Sequence, residues 1–192
     1  TGAPLQSAID LAMARSFIHR FLAKAYEDPM PEGWDWLCAP GAQENLRAAT
    51  LVVAASRQSA AMPADALENS LQKLSAALCR DAATQDSFLN AYLAAFGHAA
   101  RGSCPLNEIE YGDIKADPLF QPHRLADLAA FYRAFGLEVA EDAGERQDHI
   151  CLELEFMCVL AAKEVYALEH QLDGDQLAQC RDAQKKFLRE HL

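Results

Sequence analysis

Basic side chains are scarce in this chain. Seventeen Lys and Arg stand against 28 Asp and Glu, for a formal net charge of −11 and a sequence pI near 4.9. A nucleic-acid backbone or an anionic bilayer surface calls for the opposite balance, so neither is an expected partner, whereas a cationic one is. No apolar run approaches the ~18–20 residues that cross a bilayer, so membrane insertion is not expected, and no secretory leader is visible at the start. The six cysteines (Cys38, Cys79, Cys104, Cys151, Cys158 and Cys180) include no CxxC pair and are irregularly spaced. That spacing speaks against a disulfide framework and for reduced thiols in a cytoplasm. Cys151 and Cys158, seven apart, share a helix face and read as core filling rather than metal ligands.

Catalytic signatures are missing as well. The sequence contains no HExxH, CxxCH, Walker loop or nucleophile elbow, and no paired Glu-x-x-His of the kind a di-iron bundle needs. No catalytic residue, metal or cofactor is therefore expected. A small metal-dependent helical enzyme using His149 and Glu153 stands as a rival reading, with stoichiometric metal as its signature.

What is present is helix. Apolar residues make up 51% of 192, enough for the core of one domain, and no stretch alternates long enough to propose a sheet. A first helix is expected from about Pro4 to Tyr26, with Ile9, Met13, Phe17 and Phe21 as its stripe, stopped by Asp28-Pro29-Met30-Pro31. The Trp34-Asp35-Trp36 patch then covers a helix end before a second helix, roughly Ala42 to Arg57. A third follows Pro63, with Leu67, Leu71, Leu74 and Leu78 in register, and a fourth runs from Thr84 as N-cap to Gly97 with Phe88, Tyr92 and Phe96. After Pro122 a helix buries Leu125, Leu128, Ala129, Tyr132 and Phe135 and ends at Gly136 as C′ residue. The helix from His149 to about Gln171 is apolar nearly all round and should be central, and a last one runs from Gln176 to the end. The expectation is an all-α single domain, residues 1–192, of about seven or eight helices. Residues 97–121, punctuated by Gly97, Gly102, Pro105, Gly112 and Pro118, form an irregular, hinge-like segment between N-terminal and C-terminal helices.

Two stretches go beyond generic helix. One is Cys104-Pro105-Leu106-Asn107-Glu108-Ile109-Glu110-Tyr111-Gly112. The other runs from Leu125-Ala126-Asp127-Leu128-Ala129-Ala130-Phe131-Tyr132-Arg133-Ala134-Phe135-Gly136 to Glu145-Arg146-Gln147-Asp148-His149-Ile150-Cys151-Leu152-Glu153-Leu154-Glu155-Phe156-Met157. Together they resemble the signatures of the TorD/DmsD/NarJ family of cytoplasmic molybdoenzyme maturation chaperones. The resemblance spans most of the chain from Phe88 onward. Gln147 stands where that family usually has Pro before Asp-His, Leu106 and Asn107 replace its usual Pro and Tyr, and the last helix stops short of its Trp-containing continuation. The resemblance implies a non-enzymatic chaperone that binds the twin-arginine signal peptide of a DMSO-reductase-type enzyme. The apo form of that molybdoenzyme is held until its cofactor is inserted, before export. A helical adaptor that binds a mature protein surface is the alternative. A hinge at 97–121 would allow either a monomer or a domain-swapped dimer.

A twin-arginine peptide presents two guanidinium groups and then an apolar stretch, so its receptor needs carboxylates beside apolar surface, and bidentate pairing favours Arg-Arg over Lys-Lys. Glu108, Tyr111, Asp127, Asp148, His149 and Glu153 are the candidate peptide-binding residues. Each has a structural role to weigh beside it. Asp148 is the expected N-cap of the central helix, which makes His149 its first residue. Glu153 and Glu155 point about 200° apart around a helix, so at least one should pair with a cation such as Arg133 or Arg146, or with backbone of the 97–121 segment.

Overall fold

The computed structural model of the chain describes residues 2–56, 84–97, 104–111 and 121–192, together with 66, 69–70, 73–74 and 76–77. Among these residues lie seven α-helices: α1 (Gly2–Tyr26), α2 (Pro31–Cys38), α3 (Pro40–Ser56), α4 (Gln85–Phe96), α5 (Gln121–Ala134), α6 (Ile150–Glu169) and α7 (Gly174–Glu190). A 3-10 turn occupies Glu108–Glu110, and no strand is present among the described residues beyond one isolated bridge pair. The all-α expectation holds. Pro63, Leu67, Leu71 and Leu78 of the expected third helix, and most of 97–121, fall outside the described residues. Leu74 is helical and packs on the cluster formed by Phe21, Leu37, Ala42 and Leu46.

Helix α6 is the axis of the fold, because a helix apolar on every side is stable only when other helices cover it. Helix α1 runs antiparallel along it. Ser16 Oγ donates to the Cys158 carbonyl at 3.2 Å, the Cys151 thiol reaches the Ala23 carbonyl at 3.5 Å, and Ile9 and Ala12 pack with Leu168. The buried face of α1 includes Ala12, Ala14 and Ala23, while Met13, expected in the stripe, is exposed. Small side chains let the two backbones approach closely, a contact that a search for large apolar residues overlooks. Helix α7 packs on another side of α6, with Phe187 fully buried among Leu128, Tyr132, Phe156, Met157 and Leu160. Edge-to-face contacts of Phe156 with Phe187 (4.8 Å) and Tyr132 (4.9 Å) order this aromatic core.

The Trp patch is itself helical. Pro31 opens α2 at a position where the missing N–H costs nothing, and the short helix swings Trp36 onto Phe17 and Phe21 and Trp34 onto Phe88. Thr84 caps α4 in a reciprocal capping box with Ser87. Gly136 ends α5 with φ +75°, and the following Leu137 N–H returns to the Tyr132 carbonyl at 2.9 Å.

One buried charge ties three helices. Glu164 of α6 accepts from Arg15 of α1 (2.5 Å), from Arg181 of α7 (2.7 Å) and from Gln184 of α7 (2.8 Å). These partners hold its carboxyl below the usual range even though burial pushes the other way. Both arginines reach solvent, so Glu164→Ala leaves cations that water can resolvate. The expected loss is about 2 kcal/mol, below the value for a wholly buried pair, read as a lower urea midpoint with an unchanged slope.

Candidate functional site

The two signature stretches meet at the start of α6. Asn107 pairs antiparallel with His149: the Glu108 N–H donates to the Asp148 carbonyl at 2.9 Å, and the Ile150 N–H donates to the Leu106 carbonyl at 2.8 Å. Around this bridge the side chains form a buried polar unit. Asp148 has no exposed surface. Its Oδ1 accepts from Asn107 Nδ2 (3.2 Å) and Arg146 Nε (2.5 Å), and its Oδ2 accepts from the Ile109 N–H (3.2 Å) and Arg146 Nη2 (2.9 Å). Arg146 also lies 3.8 Å from the buried Glu110.

Asp148 is therefore not the cap of α6. Its carboxylate turns back to the signature turn, residues 104–111, and the capping role passes to His149, whose Nδ1 accepts from the Cys151 N–H at 3.3 Å. An accepting Nδ1 must be unprotonated, and burial agrees by lowering the His149 pKa against the attraction of Glu145, whose carboxylate is 3.6 Å from Nε2.

Glu108 sits at the other edge of the unit. Its Oε1 accepts from both Nε and Nη2 of Arg124 on α5, and its Oε2 lies 3.1 Å from Nδ1 of the buried His191. Glu153, one turn into α6, is 2% exposed and forms no ion pair among the described residues, the nearby Arg124 being taken up by Glu108. Burial first, then the charges of Glu108 and Asp148 and a hydrogen bond to Glu108, push its carboxyl up to about 9. It is thus a neutral acid at pH 7, donating its proton toward the Glu108 carboxylate. The cations named from the sequence are not its partners: Arg146 serves Asp148 and Glu110 instead.

Tyr111 and Asp127 are placed differently. Tyr111 is about half exposed while its hydroxyl donates to the Pro105 carbonyl at 2.5 Å. Asp127 is half exposed and faces His191 Nε2 at 3.7 Å. Of the six candidates, then, Asp148, His149 and Glu153 are buried, Glu108 is held by internal partners, and Tyr111 and Asp127 reach solvent. Direct contact between a peptide and Asp148 or Glu153 would require the unit to open. The Tyr132 hydroxyl donates to the Gln147 carbonyl (2.8 Å), and Gln147 Nε2 donates to the Leu125 carbonyl (2.6 Å). The residue that replaces the family's proline thus fastens the turn to α5.

Sequence reading missed Arg124, Asn107 and His191. A second feature it missed lies beside the unit, where α1 ends, α4 ends and α6 begins. Tyr26, Tyr92 and Phe96 pack edge to face, with Tyr92–Phe96 centroids 4.9 Å apart, and the Tyr92 hydroxyl donates to the Tyr26 carbonyl at 2.9 Å. Next to them, Glu27, Glu155 and Glu145 reinforce burial in pushing the Cys151 thiol up to about 12. Burial and the neighbouring Glu27 likewise hold Glu155 above the usual carboxylate range. Lys24 neutralises Glu27 at 2.7 Å, while Glu145 and Glu155 are exposed. No helix among the described residues is long and apolar enough to cross a membrane.

The comparisons with known proteins agree with the signatures. The chain is 36% identical over 82 residues to a perchlorate reductase assembly chaperone protein of Dechloromonas aromatica (strain RCB), covering 43% of this chain and 35% of that one. It thus spans about a third of the length of this curated relative. No solved structure matches it. The model of the nitrate reductase delta subunit family matches residues 61–192, which include both signature stretches and helices α4 to α7. The chain therefore belongs to the nitrate reductase delta subunit family, that of the NarJ- and TorD-type chaperones.

Proposed function

We propose that this chain is a cytoplasmic, non-enzymatic chaperone of a molybdenum-cofactor reductase, and that it holds the twin-arginine signal peptide of the apoenzyme until the cofactor is in place. The observation that carries the reading is the union of the two chaperone-like stretches. Asn107 and Asp148, 41 positions apart, are locked into one buried unit at the head of the core helix. A rigid unit at a surface rimmed by acids is suited to recognition, because it presents carboxylates already held in place.

The peptide contacts fall to the rim in this reading. Glu145 and Glu155 are exposed carboxylates, and Tyr111, Tyr26, Tyr92 and Phe96 supply the apolar and aromatic surface that a signal peptide's hydrophobic stretch requires. A guanidinium drawn to Glu145 or Glu155 offsets negative charge that both place near the Cys151 thiol. Asp148, Glu108, Glu153 and His149 serve as the frame that fixes Tyr111 and the start of α6. The overall charge of −11 draws a cationic segment toward the protein and makes the encounter sensitive to salt.

Deletion of the gene in its host tests the assembly role. A molybdenum reductase should accumulate without its cofactor, and the restored chain should return its molybdenum content. Full molybdenum content in every reductase of the deletion strain would refute it.

A further inference from the structure

Three ligand-type side chains from two helices converge on one point. Asp127 comes from α5, Glu190 from the last turn of α7, and His191 from the position after it, and one donor atom of each lies within 4.8 Å of the others. The acids alone would mean little at a surface. The imidazole changes the argument. The His191 side chain has no exposed surface, its Nδ1 is 3.1 Å from Glu108 Oε2, and its Nε2 is buried with no hydrogen-bond partner.

The Glu108 carboxylate can only accept, so the short contact puts a proton on His191 Nδ1. In the neutral ring this leaves a lone pair on Nε2, 3.7 Å from a carboxylate oxygen of Asp127. Two acceptors at that distance repel and are too far apart to share a hydrogen bond. A cation between them resolves the conflict.

We propose that Asp127, Glu190 and His191 bind a divalent transition ion of the zinc class, with Glu108 positioning the imidazole. One imidazole nitrogen with two carboxylates is a ligand set for zinc or cobalt with a water in the open position, whereas magnesium and calcium prefer oxygen ligands throughout. Bonds of 2.0–2.2 Å around a tetrahedron put donor atoms roughly 3.3 Å apart. The 3.7 Å spacing of His191 and Asp127 therefore closes with a small side-chain adjustment. The Glu108–His191 pair supplies the carboxylate–histidine arrangement that fixes the tautomer of a metal-bound imidazole. Glu190 is currently met by Arg189 at 2.8 Å and Lys186 at 3.8 Å, both on largely exposed side chains that can swing away into water. A bound ion would tie α5 to the end of α7 and, through Glu108, brace the signature turn. This site does not depend on the chaperone reading.

The test is titration of the full chain, stripped with chelator and carrying Cys104→Ser to remove an exposed thiol, with Co²⁺ alone. The expected result is one Co²⁺ per chain, with visible d–d absorption and no thiolate charge-transfer band, displaced by Zn²⁺ and not by Mg²⁺. Asp127→Ala, at a half-exposed position outside the buried unit, should keep the circular dichroism spectrum and weaken Co²⁺ binding by at least about tenfold, within the range that outer-shell changes alone already reach. Absence of Co²⁺ binding, binding unchanged in Asp127→Ala, or a thiolate band in place of the expected spectrum would overturn the proposal and leave a proton or a cysteine as the explanation.

Discussion

Asp148→Ala should lower the unfolding free energy by about 3–5 kcal/mol, the cost of removing one partner from a buried ion pair. The carboxylate has no exposed surface and meets four donors: Asn107 Nδ2, the Ile109 N–H, and two nitrogens of Arg146. Its removal leaves the Ile109 N–H and the Asn107 amide buried without a partner, and an unsatisfied buried donor bears its full desolvation penalty. The Arg146 side chain is partly exposed and can turn to water, which limits the loss toward the lower end. Asp148→Asn should lie between the two, because its amide oxygen still accepts while its amide nitrogen confronts other donors. Urea denaturation of the three proteins at pH 7 measures the order. A variant as stable as the parent would mean that Asp148 is not what joins the two stretches.

Glu153→Gln is expected to act in the opposite direction and to reveal itself through pH. An ordinary glutamate in the unfolded chain loses its proton near 4.5, whereas the folded carboxyl is pushed up to about 9 by burial and by the acids around it. Between those values the folded state keeps a proton that the unfolded state gives up, so stability falls as pH rises, by about 1.4 kcal/mol per unit. The amide imitates the protonated acid and has nothing to lose. The variant should match the parent near pH 5 and exceed it by about 3–4 kcal/mol at pH 8, by the same slope. Parallel stability profiles for the two proteins across this range would show that Glu153 is ionised in the fold.

Much of the fold is legible in the amino-acid order, and the exceptions have physical causes. The apolar, nearly faceless character of 150–169 makes α6 central, Thr84 and Gly136 end their helices as their chemistry requires, and Tyr132 is core. Helix α2 hides behind four turn-forming residues because Pro31 both breaks a chain and starts a helix. The α1 face is misread at Met13 because close packing against α6 rewards alanine over bulk. At the site, the local stretches are readable but their partners are not. Glu108 pairs with Arg124 sixteen positions away and with His191 eighty-three away, and no helical periodicity links such positions. The Asp148 cap failed in part for the same reason: Asn107 and Ile109, some forty positions away, joined the neighbouring Arg146 in outcompeting the helix N–H, and His149 took the vacancy.

The division between frame and rim also changes what mutagenesis should find. Losses at Asp148 or Glu164 should follow stability, whereas losses at Glu145, Glu155 or Tyr111 should leave the melting curve in place. Calorimetric titration with two peptides that differ only in Arg-Arg or Lys-Lys before the same apolar stretch, at low and high salt, tests the central claim most directly. Micromolar or tighter binding is predicted for Arg-Arg, weakened by salt, about tenfold poorer for Lys-Lys, and lost in a Glu145→Gln/Glu155→Gln protein of unchanged melting temperature. Equal affinity for both peptides, or binding of neither, would contradict it.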